Sequence, residues 1–533
     1  MQLSRRMFLA LSATFTIAAC GEDDTAVDSD TSPGTTPDPA PTEAPADTTT
    51  TPTTATTATT ATSTTVPEVE LADDPFLFGV GSGDPDASSV VLWTRLAGEL
   101  PTDGIDVTWT FEPEDGSETI VGTTTTSPAV GGSVHALAEL PGPGSFTFSA
   151  GGWESPVGRT APIDPATAEF RFATASCQNY QSGRWAAHRD IADWQPDLVV
   201  FLGDFMYEGS ATELGEGVIR LHDPGEPMDL DAYRRRYATY LSDPQLQASR
   251  GAAPWLVIWD DHEVENDYAG LSSEDRVPEA EFAARRAQAY QAWWENTPTR
   301  LPPPVELVDD PTARYEIYRG LDVGSLLRIS ALDGRQFRDD QVSDAILETG
   351  PPAAGWDDPD RSMLGAEQEA WVVDRFATTT STWNCLAQQT VLADARLGEV
   401  GAILNYDQWD GYAAARQRLL DAAPGNFVVV TGDIHLAGVA ELGPADDRLG
   451  VEFITTAISS TANVDPELAP VLLALPNIFD GELVFRGYTR HTVTPAAWSA
   501  EFRQVVDVSD ADSEVRTWKT FTVDADSTTI TPA

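Results

Sequence analysis

The chain has 533 residues, which at roughly 100–200 residues per domain allows two or three domains with sizeable cores. It carries 84 Asp and Glu against 32 Lys and Arg, a formal net charge of −52, and Lys519 is its one lysine. Such a surface repels nucleic acid and anionic lipid, so a phosphate-bearing substrate would need a local positive site, which metal ions can supply; a salty habitat or a biased genome explains the acidity equally well.

The first segment, "SRRMFLALSATFTIAAC", sets Arg5 and Arg6 ahead of a short apolar run that ends at Ile17, Ala18, Ala19 and Cys20. The run is too short for a permanent membrane span. Residues 1–20 are similar to a twin-arginine export signal joined to a lipoprotein cleavage box, which would leave Cys20 lipidated; the alternative is an ordinary secretory signal with a chance arginine pair. Residues 21–70 read as a disordered linker, because stretches such as "DTTTTPTTATTATTATSTTVPE" lack the large apolar residues a core requires. The expected location, after twin-arginine export, is the cell surface, with the lipid as the sole membrane contact, or the extracellular space.

Between 71 and 163, the runs "VVLWTRL", "VTWTFEP", "TIVGTTTT" and "SFTFSAGG" alternate apolar and polar residues between turn residues. That spacing predicts an immunoglobulin-like β-sandwich with no catalytic cluster, whose role is packing and spacing. After Thr167 strands alternate with helical stretches, so 168–533 reads as a large α/β domain. "AYRRRYATYLSDPQLQASR", "PEAEFAARRAQAYQAWWENTP" and "GAEQEAWVVDRFATT" have helical periodicity. Trp293, Trp294, Trp371 and Trp498 are expected in the core. Cys177 and Cys385 remain for the folded part; they could form one bridge, although Cys385 lies in an apolar segment that suits a buried free thiol.

Four buried-type strands of this part end in chemistry that can bind metal. "FRFATASCQNY" ends at Ser176 and Cys177, and "DLVVFLGDFMYEG" breaks at Gly203 into Asp204 and Tyr207. "PWLVIWDDHEVENDY" ends in Asp260, Asp261, His262, Glu263, Asn266 and Asp267, and "VVVTGDIH" in Asp433 and His435. Strand alternation would turn Asp433 and His435 to the same side, at the carboxyl end of a sheet where α/β proteins bind ligands. One such tip is unremarkable; four together form a candidate site.

With "FGVGSGDPDASSVVLWTRL", "LDGRQFRDDQ", "SMLGAEQEAW" and "CLAQQTVLAD", these segments resemble the PhoD-type alkaline phosphatases from about Phe76 to about Phe502. That family lies within the calcineurin-like metallophosphoesterases and is related to purple acid phosphatases. The resemblance implies a four-layer α/β sandwich of two β-sheets flanked by helices behind an N-terminal β-sandwich. It also implies hydrolysis of phosphate monoesters and diesters at an iron and calcium site.

Sorted by donor softness, Cys177, Tyr207 and His435 suit trivalent iron (Fe3+). Asp261 and Asp433, with Asp204 as a shared bridge, offer only oxygen and suit calcium (Ca2+). Asn266 and Asp267 are candidates for a further calcium or for a simple loop cap. Two cations sharing a water would lower its pKa from about 15.7 toward about 7, so no protein nucleophile is required. His262 is then the candidate acid for the leaving alkoxide, or else a residue that orients Asp261, while Asn179 and Arg335 are candidate phosphate contacts. The expected protein is a monomer acting on small or polymeric phosphate esters. Competing readings are a phosphodiesterase restricted to lipid or wall-polymer diesters, and a surface module without activity.

Overall fold

The computed structural model describes residues 69–209, 218–344, 350–398, 400–444, 446–462 and 465–533. The expected signal with Cys20, and the linker as far as residue 68, lie outside the described residues.

Two sheets carry the site. In the first, of ten strands, Phe170–Ala175, Leu198–Phe201 and Pro254–Val257 lie side by side and run parallel. An antiparallel meander, Arg486–Val493, Ala497–Val505, Val515–Asp524 and Ile530–Pro532, extends one edge. In the second, of seven strands, Leu327–Ala331, Trp383–Ala387, Phe427–Thr431 and Gly450–Ile454 are the parallel centre.

The central strands read as unbroken apolar runs because both of their faces are covered. In Phe427–Thr431, Val428 and Val430 enter the large core together with Phe172, Val200 and Phe453, joining the two sheets. Phe427 and Val429 enter a second core with Val372 and Phe376 of the helix Gly365–Ala377 and Leu419 of the helix Ala413–Asp421. Full burial of each such side chain contributes about 1.5–3 kcal/mol. The meander strands instead alternate buried and half-buried positions, as in Ala497–Val505, which is the pattern of a sheet partly facing water. Trp293, Trp294 and Trp498 are core residues, whereas Trp371 is only half-buried and packs on Tyr318 and Arg375.

The expected boundary between 71–163 and 168–533 falls within one sheet. Val80–Gly83 pairs parallel with Pro254–Val257 through Ser82 with Pro254 and Gly83 with Trp255, and Ser89–Arg95 and Ser133–Glu139 continue the ten-stranded sheet. A Cβ on Gly83 would meet the Pro298 carbonyl oxygen at 1.9 Å, so only glycine permits this approach. The other N-terminal strands, among them Ile105–Pro113, Ile120–Thr126 and Gly144–Ala150, form a third sheet. Phe111, Phe146 and Phe148 from that sheet share a core with Val80, Val90 and Leu92, while Trp93 on the opposite face belongs to the large core. Periodicity reveals that a strand is buried on two faces but not which distant strand it pairs with, so the join was not legible.

The stretch 232–250, read as helical, holds two helices, Leu230–Leu241 and Pro244–Arg250. Asp243 starts the second helix afresh: its carboxylate accepts the N–H groups of Gln245 and Leu246, and Pro244 occupies the first helical position. "CLAQQTVLAD" is a strand only as far as Ala387. Beyond it, Gln389 donates to the Trp259 and Leu332 carbonyls at 2.6 and 3.1 Å and ties the two sheets together near their tips. Cys177 and Cys385 are both free and buried, so the possible bridge is not formed.

Candidate metal centre

Each tip turns sharply where its strand ends. Cys177, Asp204, Asp433 and His435 all have left-handed backbones, with φ of 58°, 56°, 63° and 56°. Outside glycine this costs on the order of 1–2 kcal/mol per residue, and four such turns persist only because their surroundings hold them. The Cys177 N–H donates to Gly203 O and the Gln178 N–H to Asp204 O, both at 3.1 Å, locking two tips together. Gly203, at φ 107°, also sits where a Cβ would meet the Asp260 Cβ at 2.4 Å. The strand before Asp433 ends at Thr431, so strand alternation is not what aims Asp433 and His435; two successive left-handed turns are.

These turns bring the candidate ligands into three linked groups, in each of which one ligand atom per residue lies within 4.8 Å of the others. Cys177, Asp204 and His435 form the first, Asp204, Asp261 and His262 the second, and Asp260, Asp261 and Asp433 the third. Tyr207 joins the first: its hydroxyl donates to Asp204 Oδ2 at 2.7 Å and lies 3.0 Å from His435 Nε2. Asp204 thus belongs to two groups, the place the sequence expects of a bridge.

The electrostatics favour a cation here. Asp204 is buried, and its Oδ1 has no hydrogen-bond partner, a costly arrangement for a carboxylate unless something positive faces it. Burial pushes the Asp204 carboxyl far above its ordinary range, with His262 opposing and Asp261 and Asp260 adding to the rise. Burial likewise raises the Cys177 thiol and the Tyr207 phenol, in both cases helped by Asp204. A thiolate, a phenolate, a neutral imidazole and carboxylates crowded this closely fit metal ions.

His262 is half-buried, and its Nδ1 lies 2.7 Å from Glu208 Oε2. Burial works against protonation of the ring, but Glu208, Asp204 and Asp261 prevail and raise its pKa well above the usual histidine value. Glu208 also accepts the Asn266 N–H at 2.8 Å. The Asn266 side-chain amide donates to Glu274 at 2.9 Å, and the Asp267 N–H donates to Asp261 Oδ2 at 2.7 Å. Burial, then Asp407 and Asp261, push the Asp267 carboxyl up to about 8.

Arg335 is fully buried among carboxylates. Its guanidinium bonds Asp260, both oxygens of Asp407 at 2.8 Å and Asp433 at 3.1 Å, and lies 3.5 Å from Asp261. These contacts make it the internal counter-charge of the acidic tips, a different place from an open phosphate contact. The Asn179 Oδ1 accepts the Gln181 N–H at 2.9 Å and caps the short turn Tyr180–Ser182.

Several residues around the centre were not singled out as site residues from sequence. Glu263 accepts the N–H groups of Asp204, Phe205 and Asp260, so one buried carboxylate fixes two tips at once. Glu208 and Glu263 stand directly beside Tyr207 and His262 in the motifs, and that adjacency was their signal. Ser460, 2.8 Å from the Tyr207 hydroxyl, comes from a fifth strand tip, after Gly450–Ile454. Asp407 and Gln408, whose amide donates to Asp433 Oδ2 at 2.6 Å, lie in an irregular stretch with no pattern to find. Glu263→Ala is expected to leave three buried N–H groups without acceptors and to cost about 3 kcal/mol or more. Urea unfolding checks this through the midpoint at unchanged slope; a loss below about 0.5 kcal/mol would show that water replaces the carboxylate.

Two sheets whose strand tips gather carboxylates, a thiol and imidazoles, with Asp204, Asp261, His262, Asp433 and His435 lining a cavity of about 410 Å³, define an α/β protein with groups able to hold metal ions. The family model for the PhoD-like phosphatases matches residues 172–502, and that for the PhoD-like phosphatase N-terminal domain matches 58–163. Alkaline phosphatase D of Bacillus subtilis (strain 168) is 36% identical over 484 residues, covering 85% of this chain and 82% of its own. The solved structure titled "Structure of PhoD" superposes with a TM-score of 0.80 at 35% identity, covering 87% of this chain and 93% of that one. The chain belongs to the PhoD-like phosphatase family. It is a phosphatase, an enzyme that hydrolyses phosphoric esters.

Proposed function

We propose that the chain is an exported, surface-anchored phosphatase and phosphodiesterase that cleaves phosphate esters at an iron–calcium centre. The observation that carries this reading is the buried, unpartnered Asp204 Oδ1, set between one group with a thiol, a phenol and an imidazole and another rich in carboxylates. Cys177, Tyr207 and His435 would hold Fe3+, Asp261 and Asp433 would hold Ca2+, and Asp204 would bridge them. Asn266 and Asp267 are assigned to the loop cap at the cavity wall, with a further calcium as the alternative. When bound, the metals supply activation of water at neutral pH and neutralisation of charge on the phosphoryl oxygens.

The chain's own groups do the rest. Glu208 holds Nδ1 of His262, so a protonated ring keeps its Nε2 proton for the departing alkoxide. Arg335 keeps Asp433 and Asp261 in place against their mutual repulsion. The reading places the fold as four layers, two sheets between helices, with 71–163 as an immunoglobulin-like sandwich that braces 168–533. Export is assigned to the twin-arginine segment and anchoring to Cys20, with the linker as spacer. Among the described residues no helix is long and apolar enough to cross a membrane. The net charge of −52 supports a protein without specific nucleic-acid binding, acting as a monomer on small or polymeric phosphate esters.

The test is the purified folded chain, assayed on p-nitrophenyl phosphate and on bis-p-nitrophenyl phosphate, with metal analysis of the same sample. Bound iron should give a visible charge-transfer band, which Tyr207→Phe shifts or bleaches while the sheet signal in circular dichroism stays unchanged. A colourless protein without iron, or activity restored by zinc and not by calcium, would overturn the metal assignment.

A further inference from the structure

The cavity that holds the strand-tip groups does not end at them. Besides Asp204, Asp261 and His262 it is lined by Leu404, Leu436, Leu472, Ile478 and Leu483. Ile434 and Leu436 alternate with Asp433 and His435 along the same tip, so one short segment supplies both candidate ligands and apolar wall. Leu472 closes the helix Ala469–Leu472 and Ile478 opens the strand Ile478–Glu482, which pairs with Ala437–Leu442. Leu483 is buried, while Leu404, Leu436, Leu472 and Ile478 remain half-buried.

A phosphoryl group has no use for such a wall. Its charge is met at the polar end, and partly wetted leucines beside a polar centre are stabilised only when an apolar group covers them. Charge narrows the occupant further. No Arg or Lys side chain lines the cavity among the described residues, and Asp407, Asp410 and Asp480 do line it. The last three are already engaged, by Arg335, Arg416 and Lys519 respectively. Away from the candidate metal ligands, a second anionic group on the substrate would therefore find acids and no Arg or Lys side chain.

We infer that the leucine-lined half of the cavity is the subsite for the alcohol portion of the ester, and that it selects an uncharged alkyl or aryl alcohol over a hydroxylated or phosphorylated one. The inference rests on the phosphatase reading and deepens it. In the reaction the bond between phosphorus and the alcohol oxygen breaks, water supplies the new oxygen on phosphorus, and the alcohol leaves with a proton, its chain lying on Leu436 and Ile478.

The experiment is kcat/KM across ethyl, butyl and hexyl phosphate, whose leaving oxygens are electronically alike. Each added methylene is expected to raise kcat/KM about two- to fourfold, the gain from removing it wholly or partly from water. Glycerol phosphate should fall near ethyl phosphate. Inhibition by ethyl-, butyl- and hexylphosphonate gives the same slope from binding alone, independently of turnover. Leu436→Asn and Ile478→Asn, checked for an unchanged melting profile, should flatten both series. Turnover of ethyl phosphate with flat series in the wild type, or full slopes in both variants, would overturn the subsite and leave the phosphatase standing. Absence of turnover on every ester would bring down the phosphatase reading, with the phosphonate slope then deciding the subsite by itself.

Discussion

Asp204→Asn is expected to lower kcat/KM for phosphate ester hydrolysis on the order of a thousandfold, about 4 kcal/mol of transition-state stabilisation. The substitution keeps the shape of the side chain and removes its charge. Asp204 is common to two of the three ligand groups, and the Tyr207 hydroxyl already occupies its Oδ2. Oδ1, buried and unpartnered, is the oxygen left to face an ion, and a neutral amide there would be a poor bridge between cations. The same change should stabilise the metal-free protein. Burial holds the Asp204 carboxyl far above its ordinary pKa, so at neutral pH the ionised form is favoured by the unfolded chain, and a neutral isostere escapes that penalty. The checks are metal content, steady-state kinetics and thermal melts with and without chelator. Wild-type metal content and turnover in the variant would sink the bridging role.

Arg335→Met is expected to cost about 3–5 kcal/mol of stability in metal-free protein, the penalty for leaving buried charges without their partner. Asp260, Asp261 and Asp433 would face one another with no guanidinium between them, while Asp407 would keep Arg338 at 2.6 Å. Arg335→Lys should recover part of the loss, since an ammonium restores the charge but not the fork that reaches several carboxylates. The pH dependence has a definite sign. Burial opposes ionisation of Asp261, but Arg335, then His262, hold its pKa below the ordinary value. Its pairing thus contributes stability above the unfolded carboxyl pKa of about 3.9 and loses it as pH falls further. Urea titrations at pH 7 and at about pH 2.5, on either side of the unfolded carboxyl pKa, measure this: the deficit of Arg335→Met should be larger at pH 7. An equal deficit at both values would mean that the arginine acts through packing.

Tip chemistry was legible from local signals. Apolar runs such as "DLVVF" and "NFVVV" announce buried strands, and a polar cluster directly after such a run falls at a sheet end. Cys177, Asp204, Tyr207, Asp261, Asp433 and His435 were found in that way, and the structure brings them together. The assignment of Arg335 to phosphate failed to foresee its burial, because a conspicuous arginine in "LDGRQFR" looks the same in sequence whether it faces a cleft or four carboxylates.

What the sequence determined by itself was therefore local: strand cores, helical stretches, the family, and the residue types standing at each tip. Tertiary structure decided which tips meet, since Tyr207 and His435 are 228 positions apart and Arg335 and Asp433 are 98 apart. It decided the join of Val80–Gly83 to Pro254–Val257, the left-handed turns at four candidate ligands, and the leucines that share a cavity with Asp204, Asp433 and His435. The physical reason is that pattern and propensity act over a few residues, whereas pairing partner, burial and counter-charge are set by groups the chain brings in from far away, and no periodicity records them.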